Sequence, residues 1–222
     1  MRPFDEIYDI AADRQGGVAA LEARLDDGLR GPAPDITNLP EDRWLATMTK
    51  CVFQAGFQWK VIQAKWNGFE AAFHGFDIGR NAMMNDEGFD ALIRDTRIVR
   101  NGAKIQTVRD NAALLLELRA EGGAGKVLGG WPSEDYIGLL EMLKKRGSRL
   151  GGATGQIAMR FAGRDAFILS QDVTARLIAE GVIDKPATSK GALKNVQEAF
   201  NIWGQQSDRS LTEMSRILAL SL

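Results

Sequence analysis

Apolar residues recur along this chain at the three- and four-residue spacing of amphipathic helices, and glycine and proline cut the pattern into segments. A first helix is predicted from Phe4 to about Asp13. Val18, Leu21, Leu25 and Leu29 mark one face of a second, separated from it by Gly16-Gly17. Gly31–Pro40 reads as a loop, because its prolines and Asn38 oppose regular pairing. A helix then starts at Pro40-Glu41-Asp42, whose acids suit an N-terminus, and carries Trp44, Leu45, Met48, Cys51, Val52 and Ala55 inward. No strand-like alternation of any length precedes residue 160. The expected class is all-α.

Farther along, Lys144–Asp172 reads as a helix end, a tight turn at Gly151-Gly152, a second helix through Gln156, Ile157, Met159, Arg160 and Phe161, and a short apolar run reaching an acid. Gly151 and Gly152 supply backbone freedom where a Cβ would clash. A helix is expected over Asp172–Gly181. The tail is amphipathic over Ser189–Gln206, through Leu193, Val196, Phe200 and Trp203. It is amphipathic again over Ser210–Leu220, through Leu211, Met214, Ile217 and Leu218. These last helices are expected to return across the N-terminal lobe and close it. Gly122–Pro132 holds many glycines around Lys126 but lacks the GxxxxGK[ST] spacing and a preceding strand. It reads as a flexible crossing between lobes, anchored by Trp131, with Ser133 capping the next helix. The expected organisation is two lobes, one of about residues 1–40 plus 184–222, the other of about 41–183.

The 222 residues carry a net charge of −1, so a nucleic-acid-binding face would have to be a local patch. One Cys and one His exclude an internal disulfide framework and make a zinc site of N/S ligands a poor expectation; no metal and no cofactor are predicted. The first residues lack the basic and apolar regions of a secretory signal, and no apolar run is long enough to span a bilayer. A soluble, cytoplasmic monomer without membrane contact is expected.

The glycine turn has a physical use. The start of a helix leaves backbone N–H groups without intrahelical partners, and its dipole favours an anion there. Lys144, Lys145, Arg146 and Arg149 add attraction for a phosphate backbone. An ordinary αα-hairpin with a solvated basic helix end accounts for the same residues. The arrangement resembles the helix-hairpin-helix of the DNA glycosylase superfamily, with Leu150-Gly151-Gly152-Ala153-Thr154 at the hairpin. Gln54-Ala55-Gly56-Phe57-Gln58-Trp59, then Phe69 to Asp77, is similar to the QAGLSW and FxxxFxxFD pattern of the 3-methyladenine DNA glycosylase I family. Ile98 to Ile105, leading to Asn111-Ala112, is similar to that family's IIRHRGKI and NA. Together with the hairpin, the likeness covers roughly residues 44–172 in the right order.

That resemblance implies a two-lobed helix-hairpin-helix DNA glycosylase fold acting on double-stranded DNA with a damaged base. Such an enzyme flips a nucleotide out of the stack into a pocket. By this resemblance Trp59 stacks on the base, Gln54 reads its edge, and Phe57, in a family leucine's place, fills the emptied stack as a wedge. The hairpin Leu150–Thr154, with Lys145 and Arg149, holds phosphate. The alternative is that Trp59 and, more so, Phe57 are core aromatics. Phe69, Phe73 and Phe76 read as core, and His74 as no ligand. Arg94, Arg97, Arg100 and Lys104 are candidate cleft-edge cations or a solvated face.

Two departures stand out. Cys51 occupies the position of the family's pocket glutamate, and the family's zinc-binding cysteines and histidines are absent. The superfamily's catalytic aspartate falls on Ser170 by strict spacing and on Asp172 after a two-residue slip; Asp172 as a plain helix N-cap is the alternative. No lysine follows the hairpin where bifunctional lyases place their amine. The resemblance thus implies a monofunctional glycosylase for an alkylated, 3-methyladenine-like purine, with Asp172 catalytic. A non-catalytic helix-hairpin-helix DNA-binding or interaction protein is the alternative.

Overall fold

The structure, a computed structural model, describes residues 1–26 and 35–222. Over these the fold is all-α, with no β-strand among the described residues. In chain order the helices are α1 (Phe4–Gln15), α2 (Val18–Leu25), α3 (Glu41–Gln54), α4 (Trp59–Ala64) and α5 (Trp66–Ala72). Next come α6 (Ile78–Ala82), α7 (Asp86–Arg94), α8 (Gly102–Leu118) and α9 (Tyr136–Arg146). The last are α10 (Ala153–Phe161), α11 (Gln171–Ala179), α12 (Lys190–Ser207) and α13 (Leu211–Leu220). None among the described residues is long and apolar enough to cross a membrane.

Two compact units emerge. One gathers Met1–Pro34, Pro132–Gly138 and Gly163–Leu222; the other gathers Asp35–Trp131 and Leu139–Ala162. Residues 163–183, placed by the sequence reading with the central lobe, pack in the first unit, where α11 lies on α13. The apolar run Ala166-Phe167 explains this: both residues are fully buried, and Phe167 stacks on Phe200 of α12 at 4.3 Å.

In that first unit the two ends of the chain close one core. Phe4 meets Trp203 ring to ring at 6.3 Å, the Trp203 indole N–H donates to the Arg2 carbonyl, and α1 packs on α12 and α13. The buried Glu180 carboxylate accepts from the Arg2 backbone and guanidinium and from Arg176. The tail helices therefore do cover the N-terminal helices. Ser189 caps α12, and Ser210 with Glu213 forms a capping box on α13. Leu21 and Leu25 of α2 are buried as the periodicity predicts, but Val18 stands at the helix start, 54 % exposed. Leu29, and residues 31–34 of the predicted loop, lie outside the described residues.

The second unit is built on an aromatic stack. Phe53, at the end of α3, meets Phe69 edge-on at 4.7 Å; Phe69, Phe73 and Phe76 follow, all fully buried. They are core, as their spacing predicts. His74, Gly75 and Phe76 all adopt left-handed backbone, and two side chains hold this turn. Arg43 donates to the Gly75 carbonyl while gripping Glu70, and the buried Asn81 amide donates to the Phe73 and Asp77 carbonyls.

Gly122–Pro132 is not a flexible crossing. Gly125–Gly129 forms one turn of π-helix packed against a 3₁₀ turn at Ile36–Asn38. A Cβ on Gly125 would overlap the Thr37 carbonyl oxygen, so glycine is there for close packing rather than for freedom. Ser133 opens a 3₁₀ turn before α9 without a side-chain cap; its carbonyl accepts instead from the Gln197 amide.

Candidate nucleic-acid interface

Four of the predicted site residues sit at one corner of the second unit, where α3 ends. Cys51 and Gln54 face inward from its last turn, 4 % and 3 % exposed. The chain then leaves the helix at Ala55, which is exposed and not inward as its spacing predicts. It turns through Gly56 in left-handed backbone and starts α4 at Trp59. Every residue from Ala55 to Lys60 is exposed. Phe57 and Trp59 are 42 % and 47 % exposed, and are therefore not core aromatics. The Gln54 side-chain oxygen is sealed from solvent and accepts no hydrogen bond from a described residue. Burial pushes the Cys51 thiol up to about 12, against the opposing charge of Lys50. The position carries no charge at neutral pH.

Lys104, from α8, fastens this corner. It is 5 % exposed, and its ammonium donates to the Phe53 carbonyl at 3.1 Å and the Ala55 carbonyl at 2.6 Å. These are carbonyls at a helix C-terminus, where a cation is favoured. The same ammonium lies 4.6 Å from the centre of the Phe57 ring. Burial pulls its pKa below the usual lysine value, and the charge of Arg149 pulls in the same direction. Sequence spacing alone left Lys104 as one cation of a possible surface row. Of that row, Arg97 is held by Asp95 through its Nε and Nη2, while Arg94 and Arg100 are exposed.

The glycine turn belongs to the same unit. Leu150 is buried under it, and α10 begins at Ala153 after Gly152, without a side-chain cap. Here the structure corrects the steric argument. A Cβ on Gly152 would meet nothing within 4 Å; glycine is needed because its backbone lies at φ 59°, ψ −139°, a region closed to other residues. At Gly151 a Cβ would first meet the Lys144 side chain, its Cγ at 3.3 Å. The glycine required by contact is Gly155, whose Cβ would fall 2.2 Å from the Leu150 carbonyl oxygen. That contact lets the first turn of α10 press on the chain that enters it. Lys145 and Arg149 are exposed and make no ion pair with a described residue, whereas Arg146 is spent on Glu117 and Glu121.

Three contacts the sequence did not announce tie the turn and its helix to their surroundings. The Asn111 side-chain amide pairs with the backbone of Ser148 in both directions, accepting at 2.8 Å and donating at 3.1 Å. The Ser148 hydroxyl donates to Asp110. Phe161, the last residue of α10 and 50 % exposed, meets Trp59 edge-on with ring centres 5.7 Å apart. The hairpin helix and the Gln54–Trp59 block are thus neighbours, as α10 packs on α3.

Asp172 lies in the other unit, exposed in the first turn of α11. Ser170 is the N-cap: its hydroxyl oxygen accepts from the Val173 N–H. Capping does not occupy the Asp172 carboxylate. A cavity of about 540 Å³ in the second unit, lined by His74, Arg80, Asn81, Met84 and Leu92 among others, includes none of the predicted site residues. Among the described residues no three His, Cys, Asp or Glu side chains are grouped to hold a metal ion.

Comparison with known proteins places this corner in context. Residues 40–128 match the family model described as methyladenine glycosylase, a span that includes Cys51, Gln54, Phe57, Trp59, Lys104 and Asn111 but neither the hairpin nor Asp172. The chain is 35% identical over 69 residues to DNA-3-methyladenine glycosylase 1 of Escherichia coli (strain K12), covering 31% of this chain and 37% of that protein. It spans little more than a third of the length of that relative. A crystal structure of 3-methyladenine DNA glycosylase I aligns with a TM-score of 0.47 at 24% identity, over 64% of this chain and 86% of that one. Over residues 40–128, and only there, the chain is similar to the methyladenine glycosylase family.

Proposed function

We propose that this protein is a monofunctional DNA glycosylase of base-excision repair, which hydrolyses the N-glycosidic bond of a damaged, alkylated purine flipped out of double-stranded DNA. The observation that carries this reading is the exposed Trp59 beside the hairpin helix, within the segment that matches the family. A half-exposed indole forgoes burial that a core tryptophan would have, and offers a face for stacking, worth ~1–3 kcal/mol per base. That offsets the few kcal/mol of unstacking a flipped nucleotide costs.

In this reading the amides that open α10 at Ala153 and Thr154 take a phosphate oxygen, the open space beside Gly152 admits it, and Lys145 and Arg149 add attraction. Phe57 enters the gap left by the flipped base. Gln54 reads the base edge through its amide. Asp172 stabilises the positive charge that develops on the sugar as the C1′–N bond breaks. Water then adds at C1′, its second proton leaves to solvent, and the base departs with the bonding electrons. The protein works as a monomer and without a cofactor.

A second reading follows from Cys51. With a neutral thiol at this buried position, the pocket holds no acid there, which favours DNA binding without catalysis. Base release from duplexes carrying alkylated and oxidised purines separates the two. The glycosylase reading expects release from at least one lesion, and a loss of roughly 10²-fold in Asp172→Asn, about 2.7 kcal/mol of barrier, with DNA affinity kept. Trp59→Ala should weaken recognition of the damaged duplex and leave undamaged binding nearly intact. No release from any lesion leaves the binding reading; a wild-type rate in Asp172→Asn removes that residue from the chemistry.

A further inference from the structure

We propose that Lys104 and Phe161 are positioning residues for the exposed turn that ends α3, Lys104 setting the Phe57 ring and Phe161 setting the plane of Trp59. This deepens the glycosylase reading and rests on it for its functional meaning.

The turn needs such supports because little else fixes it. Ala55–Gln58 belongs to no helix, Gly56 is in left-handed backbone, and both aromatic rings project toward solvent. Two backbone bonds close it locally, Ala55 N–H to the Cys51 carbonyl and Phe57 N–H to the Gln54 carbonyl. Two further carbonyls at the helix end, those of Phe53 and Ala55, receive the Lys104 ammonium. A methionine would fill the same buried space with no charge to desolvate. Among the described residues no carboxylate pairs with its ammonium, and Arg149 acts against it. What it supplies in return is bonds to those two carbonyls and a cation beneath the Phe57 ring at 4.6 Å. A ring held at its centre by a cation keeps one orientation while staying 42 % exposed.

Phe161 acts on the other ring. It ends α10, so the helix that begins at the glycine turn delivers at its far end an aromatic ring perpendicular to Trp59, at 89° between planes. An edge-to-face pair is directional, and it leaves an indole face clear for a base to stack on. Both rings remain about half exposed, so the contact serves geometry more than burial. The hairpin and the stacking residue thereby share one mechanical connection.

The test uses the full chain and the variants Lys104→Met, Lys104→Arg and Phe161→Ala, each checked for wild-type helicity by circular dichroism. In the free protein, backbone amide hydrogen exchange over residues 55–59 should quicken at least about tenfold in Lys104→Met, the factor that ~1.4 kcal/mol represents, and recover substantially in Lys104→Arg. The Trp59 indole N–H resonance, identified by its loss in Trp59→Ala, should shift in Phe161→Ala. With duplex DNA carrying 2-aminopurine opposite a mismatch, Lys104→Met should lose most of the fluorescence rise that reports extrusion while keeping affinity for undamaged duplex. Phe161→Ala should cut discrimination for a damaged duplex about five- to tenfold, the worth of one aromatic pair, and add nothing further in a Trp59→Ala background. Wild-type exchange over 55–59 in Lys104→Met, or an unmoved Trp59 resonance in Phe161→Ala, overturns the positioning roles whatever the DNA results. A wild-type protein that neither extrudes nor excises a base overturns the glycosylase reading, while the free-protein results still decide the positioning roles.

Discussion

Replacing Asn111 by alanine is the perturbation whose cost can be worked most directly from the geometry. Its side chain is 1 % exposed and spends both amide atoms on the Ser148 backbone, at 2.8 and 3.1 Å. Two hydrogen bonds at ~1 kcal/mol net each are lost. The stranded N–H and C=O of Ser148 add to this, toward the low end of ~1–3 kcal/mol per group, because Ser148 is only half-buried and water can reach it. The sum is about 2–4 kcal/mol, or a fall of roughly 4–16 °C in Tm for a chain of this size. Since Ser148 leads into the glycine turn, DNA affinity should fall with stability. Asn111→Asp keeps an acceptor for the Ser148 N–H but sets a carboxylate oxygen against the Ser148 carbonyl. It should cost as much as alanine near neutral pH and recover on acidification, as the carboxyl gains a proton. Thermal and denaturant unfolding followed by circular dichroism measures both. An Asn111→Ala protein within about 0.5 kcal/mol of wild type would refute the view that this pairing anchors the hairpin.

Gly152→Val places a β-branched residue at φ 59°, ψ −139°, which costs ~1–3 kcal/mol of backbone strain, while its side chain points into open space. Helicity should survive and duplex binding should fall at least about tenfold, the loss of a single charge-assisted phosphate contact; unchanged affinity would show that the hairpin does not hold phosphate. Two buried groups set opposite pH slopes. Cys51 titrates near 9 when unfolded and about 12 when folded, so between these values the folded state holds more protons and stability falls as pH rises. Lys104 is lowered on folding, so between its folded value and its ordinary 10.5 the unfolded state holds more protons and stability rises with pH. Urea midpoints across that alkaline range should lose the first slope in Cys51→Ala and the second in Lys104→Met, and profiles parallel to wild type would contradict both assignments.

The helical class and most helix positions were legible in the sequence because they rest on local rules. α12 and α13 open directly after Ser189 and Ser210, where the amphipathic pattern begins, and Phe69, Phe73 and Phe76 are buried as read. The block from Gln54 to Trp59 was legible as well, as a sequence resemblance that the family match covers. Tertiary structure decided what depends on distant partners. Glycine density around Lys126 signals freedom when read along the chain, but Gly125 is glycine because the Thr37 carbonyl lies against it. Lys104 looked like one more surface cation, since nothing in its spacing tells that α8 carries its ammonium to the end of α3. Asn111 and Ser148, and Trp59 and Phe161, pair across long stretches of chain, and neither partner's neighbours in sequence encode the other. Periodicity fixes which face of a helix is apolar; it carries no term for which polar or aromatic group another helix delivers to its end, and in this protein the candidate site is built from such deliveries.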